Sequence, residues 1–221
     1  MPISTHTTDG VTVVEMDDGK ANALTIGAID DLLGVLADAG AAASPVVIAG
    51  RPGRFCAGYD LETIQSGDPA RIAELLTAGR TLFREMLTTP VAVVAACTGH
   101  ALAAGALLLL GADLRYAQAG EFRIGLNEVR IGMALPEFGV AVASHRLSVR
   151  AVTRAVVLGE LVDPVGAQAF GFVDHVVDDD VIGAATDAAR EIATLPADAV
   201  ARTKQRRYAP LLAALDAVAD A

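Results

Sequence analysis

The chain has 221 residues, of which 53% are hydrophobic and 20% are charged. This composition excludes extensive disorder and suits one well-packed domain. The formal net charge of -10 argues against a nucleic-acid backbone or an anionic membrane surface as a partner.

Cysteine usage and the N-terminus bear on where the protein works. Cys56 and Cys97 form neither a CxxC pair nor a metal-ligand spacing, so we expect reduced thiols and no metal. The first residues show no secretory signal, and the longest apolar run, residues 101–110, is too short to cross a bilayer. The sequence therefore predicts a cytoplasmic protein with no membrane partner.

Strands and helices alternate along the predicted fold. Apolar runs predict strands at residues 11–16, 46–48, 91–97 and 173–177. Apolar residues at helical spacing predict helices over residues 25–40, with Thr25 as N-cap, and over 72–86, 101–110, 184–195 and 200–219. Asp163-Pro164 marks one more helix start. We interpret the chain as α/β, with a core over residues 1–178 and a helical C-terminal region over 179–221.

Two glycine-containing segments follow predicted strands and open helices. They are Phe55-Cys56-Ala57-Gly58-Tyr59-Asp60-Leu61 and Thr98-Gly99-His100-Ala101-Leu102-Ala103-Ala104-Gly105. The first N–H groups of a helix lack partners, and small residues let a ligand approach the backbone closely. Two such donors aimed at one point form an oxyanion hole, although glycine-rich turns before helices are also common without any function.

Four motifs in a fixed order extend this interpretation. They are Lys20-Ala21-Asn22-Ala23-Leu24, the two glycine-containing segments, and Gly125-Leu126-Asn127-Glu128. This series resembles the enoyl-CoA hydratase/isomerase (crotonase) superfamily from the first strand to about residue 177. The resemblance implies a spiral of β-β-α units, a helical C-terminal region that mediates oligomerisation, and a homotrimer or homohexamer.

The resemblance also implies an acyl-CoA substrate and assigns residues to it. The thioester oxygen is expected to accept hydrogen bonds from the amides of Tyr59 and Ala104, where most relatives have glycine at the second position. Coenzyme A is expected to lie along Ala23, Ala57, Gly58, Asp60 and Leu61. It forms part of the substrate, so no separate cofactor is expected.

The acid–base groups separate the reactions of the superfamily. Hydratases in it use two glutamates, and the first of these positions aligns with Leu107, which cannot transfer a proton. The second aligns with Glu128, and the surrounding Gly125-Leu126-Asn127-Glu128 is most similar to 3,2-enoyl-CoA isomerases, which use one glutamate. The resemblance therefore favours an isomerase with Glu128 as the single acid–base group and Leu107 lining its pocket.

Other interpretations stay open at this point. A hydratase with Glu128 alone or with Glu137 as partner, and an acyl-CoA-binding protein without turnover, both fit the motifs. A Clp-type peptidase does not, since its nucleophilic serine would fall near Ala103.

Several polar residues have simpler structural interpretations. Asp60 suits a helix cap and His100 a structural histidine, whereas Lys204, Arg206 and Arg207 suit either CoA phosphates or a solvated helix face. A set of apolar residues in the last helix is expected to form exposed surface that an oligomer covers: Leu211, Leu212, Leu215 and Val218.

Overall fold

A six-stranded sheet forms the base of the protein. The computed structural model describes the backbone of residues 3–219 and the side chains of residues 3–217. The strands of this main sheet, in spatial order, are β1 (Ile3–Thr8), β2 (Val11–Met16), β4 (Val46–Gly50), β7 (Val93–Cys97), β9 (Leu114–Gln118) and β11 (His175–Val177). The β1–β2 pair is antiparallel and every other pair is parallel. Strands β4 and β7 are buried along their whole length, as the continuous apolar runs predict.

Two smaller parallel sheets lie beside the main one. The first consists of β10 (Ile124–Gly125), β8 (Gly99–Leu102) and β5 (Gly53–Cys56), and the second of β3 (Ala23–Leu24) and β6 (Gly58–Tyr59). Both glycine-containing segments therefore run through these small sheets.

Eight helices alternate with the strands along the described chain. They are α1 (Ile26–Ala42), α2 (Leu61–Ile64), α3 (Pro69–Thr88), α4 (Ala104–Gly111), α5 (Glu137–Arg146), α6 (Pro164–Phe170), α7 (Val181–Ala193) and α8 (Ala197–Ala219), with a 3₁₀ turn at Glu128–Ile131 and a π-helical turn at Thr153–Val157. The side chain of Thr25 caps α1 by accepting a hydrogen bond from the amide of Ala28. The side chain of Asp163 caps α6 by accepting one from the amide of Gly166. Both helix starts agree with the sequence.

The same unit repeats along the chain. A strand of the main sheet leads into a small sheet and then into a helical element: β4 leads through β5 and β6 to α2 and α3, β7 through β8 to α4, and β9 through β10 to the 3₁₀ turn. This repetition is the spiral of β-β-α units that the family resemblance implies.

The helix predicted to start at residue 101 begins later, at Ala104. Residues 99–102 form β8, because they pair with β5 on one side and β10 on the other. Pairing between segments far apart in sequence decided this boundary, and local periodicity could not show it.

The two C-terminal helices pack on their own chain. Helix α7 buries Val181, Ala185 and Ala189 against the main sheet, and α8 lies against α3 and α5. Leu211 and Leu215 are buried and Leu212 is partly buried. The expectation that these three leucines form exposed surface is therefore wrong, and Val218 lies outside the described side chains.

Membrane-spanning helices and metal-binding clusters are both absent from residues 3–219. No described helix combines the length and apolar character needed to cross a membrane. The described residues also contain no cluster of three or more His, Cys, Asp or Glu side chains that could hold a metal ion.

Candidate active site

Six of the nine residues assigned to the site by resemblance line one cavity of about 370 Å³. They come from four separate segments of the chain: Ala23, Ala57, Tyr59, Leu61, Leu107 and Glu128. The other three, Gly58, Asp60 and Ala104, are chain neighbours of lining residues. The wall is mostly apolar, with Tyr59, Asn127 and Glu128 as the polar lining side chains among the described residues.

The two glycine-containing segments touch at Gly58. A Cβ atom at Gly58 would lie 2.9 Å from the Cβ of Ala103 and 3.2 Å from the amide nitrogen of Ala104. Gly58 also has φ +101°, a conformation that other residues rarely adopt. Glycine at this position therefore lets β6 and the start of α4 meet at the edge of the cavity.

The backbone amides of residues 59, 60 and 104 lie close to this contact. Asp60 donates its N–H to Leu24 O on β3 at 3.0 Å, so this amide already has a partner. Ala104 is the first residue of α4, and its N–H belongs to the group that a helix leaves without an internal partner. Tyr59 and Ala103, the residue before Ala104, both line the cavity, so the two segments meet at its wall.

A buried asparagine fixes the loop that precedes β3. The Nδ2 group of Asn22 donates to Met16 O at 2.7 Å and to Phe55 O at 3.2 Å. Asn22 itself has φ +56°, a region where asparagine is tolerated better than most residues. This side chain ties the end of β2 to β5 and so sets the positions of Ala23 and Ala57.

Glu128 places its carboxyl group in the cavity wall. It begins the 3₁₀ turn after β10, and only 8% of the residue is exposed. Its Oε2 atom is buried without a hydrogen-bond partner among the described residues. Burial raises the pKa of this carboxyl above its ordinary value, and a hydrogen bond from its own backbone amide opposes part of the rise.

Leu107 on α4 is a second buried residue of the cavity wall. It lies one turn from Ala104, is 1% exposed and lines the same cavity as Glu128. The cavity therefore contains one carboxyl group among its described lining residues, that of Glu128, and the side chain at position 107 is apolar.

Glu137 does not supply that second carboxyl group. It is the first residue of α5, it is exposed, and it borders a neighbouring surface groove with Thr77 and Arg80. The structure contradicts the idea of Glu137 as an acid that projects into the cavity.

Asp60 and His100 have structural partners. The carboxylate of Asp60 accepts hydrogen bonds from the amide and hydroxyl of Thr63, which caps α2 and lowers the pKa of the carboxyl. The Nδ1 atom of His100 accepts a hydrogen bond from the amide of Arg123 at 2.9 Å.

The basic residues of α8 behave differently from one another. The Nζ group of Lys204 is buried, 2.6 Å from Asp113 Oδ2 and 3.2 Å from Val91 O. Lys204 therefore holds α8 to the core, and both a CoA-phosphate role and a solvated position are wrong for it. Arg206 and Arg207 are exposed, so contact with CoA phosphates stays a prediction for these two.

Two lining side chains were not recognised from the sequence as polar features of the cavity. The Oδ1 atom of Asn127 and the hydroxyl of Tyr59 are buried without hydrogen-bond partners among the described residues. Asn127 precedes Glu128 in the fourth motif, which could have drawn attention to it. The side chain of Tyr59 carried no signal, since the motif comparison concerned only its backbone.

Comparisons with known proteins identify the class. A sequence profile of the enoyl-CoA hydratase/isomerase family matches residues 6–220. Human mitochondrial enoyl-CoA delta isomerase 1 is 30% identical over 177 residues, which is 78% of this chain and 59% of that protein. The chain spans about half to two thirds of the length of the curated relatives it matches.

Solved structures give the same result for the fold. An enoyl-CoA hydratase/isomerase family protein from Pseudomonas syringae has a TM-score of 0.95 and 39% identity, covering 98% of this chain and 94% of that one. An enoyl-CoA hydratase from Mycobacterium ulcerans has a TM-score of 0.94 and 36% identity, covering 100% of this chain and 97% of that one. The predicted crotonase-like α/β fold is confirmed.

The chain belongs to the enoyl-CoA hydratase/isomerase family. Its relatives include proteins described as isomerases and proteins described as hydratases at comparable identity. The choice between these reactions therefore depends on the residues of the cavity.

Proposed function

We propose that this protein isomerises unsaturated acyl-CoA thioesters, moving the double bond from the 3-enoyl to the 2-enoyl position with Glu128 as its single acid–base group. The observation that carries this proposal is that one apolar cavity is lined by Leu107 and by Glu128, whose buried Oε2 atom has no hydrogen-bond partner among the described residues. An isomerase needs one group to remove a proton from C2 and return it at C4, so one carboxyl suffices.

The raised pKa of Glu128 suits both halves of this reaction. The ionised carboxylate accepts the C2 proton, and the resulting acid is strong enough to protonate C4 without water. The apolar wall keeps the intermediate away from bulk solvent, which strengthens the electrostatic interactions inside the cavity.

Negative charge on the thioester oxygen requires donors that are already in place. We assign this role to the amides of Tyr59 and Ala104, whose segments meet at Gly58. The extra methyl group of Ala104 leaves its N–H available, because alanine adopts helical φ without strain. In this arrangement the dienolate forms with its oxygen between the two amides and its C2 and C4 beside Glu128.

We assign the CoA portion of the substrate to the residues before and after Gly58 and to β3. Ala23, Ala57 and Leu61 line the cavity, and the small alanines allow close approach to the backbone. Gly58 lets β6 approach α4 closely beside this part of the cavity. Asp60 caps α2 and so fixes the position of Leu61.

Hydration is the second candidate, because hydratase relatives are as similar to this chain as isomerase relatives. A hydratase must activate water and protonate the substrate, for which the family uses two glutamates. Leu107 cannot supply the second proton-transfer group, and Glu137 points into a different groove.

Assembly and location follow from the family and remain part of the proposal. We expect a homotrimer or homohexamer in the cytoplasm, with residues 179–221 contributing to contacts between copies. Since the leucines of α8 are covered by their own chain, these contacts would involve other surfaces.

Product analysis tests the proposed reaction. The protein is incubated separately with a 3-enoyl-CoA and a 2-enoyl-CoA, and products are identified by mass and retention time. Conversion of the 3-enoyl to the 2-enoyl thioester without a hydrated product supports the isomerase. A dominant hydrated product would favour the hydratase, and tight binding without any product would favour a binding protein.

A further inference from the structure

The carboxylate of Asp18 organises the loop that leads from β2 into β3. Its Oδ1 atom accepts hydrogen bonds from the amides of Lys20 at 2.7 Å and Asn22 at 2.9 Å, and its Oδ2 atom accepts one from the amide of Ala23 at 3.2 Å. These amides can reach one carboxylate because Gly19 and Asn22 both have positive φ, +69° and +56°, which curves the backbone around it. One side chain therefore fixes three amides of a short loop.

The charge of Asp18 strengthens this arrangement. Burial raises the pKa of the carboxyl, but the amide hydrogen bonds and the Arg51 guanidinium outweigh burial, so the pKa lies below its ordinary value. The carboxylate is thus ionised at neutral pH, and hydrogen bonds to an ionised acceptor are stronger than those between neutral groups. Arg51 also donates from Nε to Lys20 O at 3.0 Å, so a carbonyl of the loop is held as well as its amides.

The loop held by Asp18 forms part of the wall of the candidate active site. Ala21 and Ala23 line the cavity, whereas Asp18 is not among its described lining residues. The carbonyl of Ala21 accepts a hydrogen bond from the amide of Ala57 at 3.0 Å, and Ala23 pairs with Gly58 between β3 and β6. Since Ala21, Ala23 and Ala57 carry only methyl groups, a ligand at this wall can approach the backbone closely. Binding by backbone groups is tighter when the loop is already fixed in the binding conformation.

We propose that Asp18 is a positioning residue for the CoA portion of the substrate, acting through the backbone of residues 20–23. This proposal rests on the proposed acyl-CoA function. Asp18 takes no part in proton transfer, so it affects the affinity for CoA and leaves the chemistry at Glu128 unchanged. The direction of the effect is distinctive. CoA is an anion, so loss of a negative charge beside its binding loop would by itself strengthen binding, whereas loss of the fixed loop weakens it.

Binding of the saturated thioester hexanoyl-CoA, measured by calorimetry, tests this direction without turnover. The wild type is compared with Asp18→Asn, which keeps the size of the side chain but removes its charge and replaces one acceptor oxygen with a donor. Asp17→Asn is the matched control. It makes the same charge change one residue away, at an exposed side chain whose carboxylate accepts a hydrogen bond from Gly19 and none from residues 20–23.

We expect Asp18→Asn to raise the Kd of hexanoyl-CoA about tenfold, and Asp17→Asn to leave the Kd unchanged or to lower it. An unchanged or lower Kd in Asp18→Asn would overturn the proposal. Equal weakening in both variants would also overturn it, because the effect would then not depend on the amides of residues 20–23. Failure of the wild type to bind hexanoyl-CoA would overturn this proposal together with the proposed function.

A second measurement separates positioning from general damage to the fold. The KM for hex-3-enoyl-CoA should rise about tenfold in Asp18→Asn with kcat retained, while kcat/KM for the hex-3-enoyl thioester of N-acetylcysteamine, which lacks the nucleotide, should stay at the wild-type value. Equal loss on both substrates, or an Asp18→Asn protein that does not fold, would assign the carboxylate to the fold as a whole and overturn the proposal. Binding without turnover in the wild type would contradict only the isomerase, since the calorimetry still decides the role of Asp18.

Discussion

Gly79 on α3 lies directly against the phenol of Tyr59, so that a Cβ atom there would be 1.8 Å from the hydroxyl oxygen and 2.6 Å from Cζ. This contact couples a helix that carries no motif to the segment whose amide we assign to the thioester oxygen. Its consequence is that a small change on α3 should disturb the cavity.

Gly79→Ala should therefore lower both stability and isomerase activity. The added methyl group must displace the Tyr59 ring, and overpacking of this kind costs about 1–3 kcal/mol in the free energy of unfolding. Gly34→Ala in α1 is the matched control, because that position is exposed with no atom near the new Cβ, and alanine there should add up to about 1 kcal/mol. Urea denaturation measures both changes. Stabilisation by Gly79→Ala comparable to that by Gly34→Ala would show that the Tyr59 contact is wrong.

Leu107→Glu should introduce hydration of 2-enoyl-CoA. Because Leu107 lines the same cavity as Glu128, the new carboxyl would supply a second acid–base group there, although burying it lowers stability. Leu107→Gln is the matched control, since glutamine has a similar size and polarity but transfers no proton. Hydration is followed by the loss of enoyl absorbance. Equal rates in the Glu and Gln variants, or efficient hydration by the wild type, would contradict the role assigned to Leu107.

The pH dependence of isomerisation should follow the raised pKa of Glu128. The free enzyme needs the ionised carboxylate to accept the C2 proton, so kcat/KM should decrease as the pH falls through that pKa. Because burial raises the pKa, the midpoint should lie above 4.5, the ordinary value for glutamate. A profile of kcat/KM against pH gives this midpoint. A midpoint at or below the ordinary value would mean that another group limits the reaction.

Glu128→Gln should increase stability at neutral pH. The carboxyl has a higher pKa in the folded than in the unfolded state, so its contribution to stability is complete below the unfolded pKa and is lost as the pH rises through the folded pKa. Glutamine does not ionise, and so the variant should be more stable than the wild type at pH 7, with a smaller difference near pH 4. Thermal unfolding at the two pH values tests this. A difference that grows on acidification would have the wrong sign.

Much of the fold followed from local sequence signals. The caps Thr25 and Asp163 start α1 and α6, and the apolar runs of β4 and β7 form the centre of the main sheet. These features depend on the residues themselves and their near neighbours. The start of α4 did not follow, since residues 99–102 become a strand through pairing with β5 and β10.

The part of the site that the four motifs cover was predictable from the sequence. Tyr59, Leu107 and Glu128 line one cavity because the spiral returns their segments to the same place. The partners of Lys204 and Leu211 were not predictable, because an amphipathic helix does not reveal which surface it covers. In this chain α8 covers its own core, where Lys204 reaches Asp113.

The most direct test of the account compares Glu128→Gln with the wild type on a 3-enoyl-CoA substrate. Glutamine keeps the shape and removes the exchangeable proton, so kcat should fall by about 10²–10⁴-fold with thioester binding little changed. Glu137→Gln, which alters an exposed carboxyl outside the cavity, should retain wild-type turnover. Wild-type activity in Glu128→Gln would contradict the account and remove Glu128 from the mechanism.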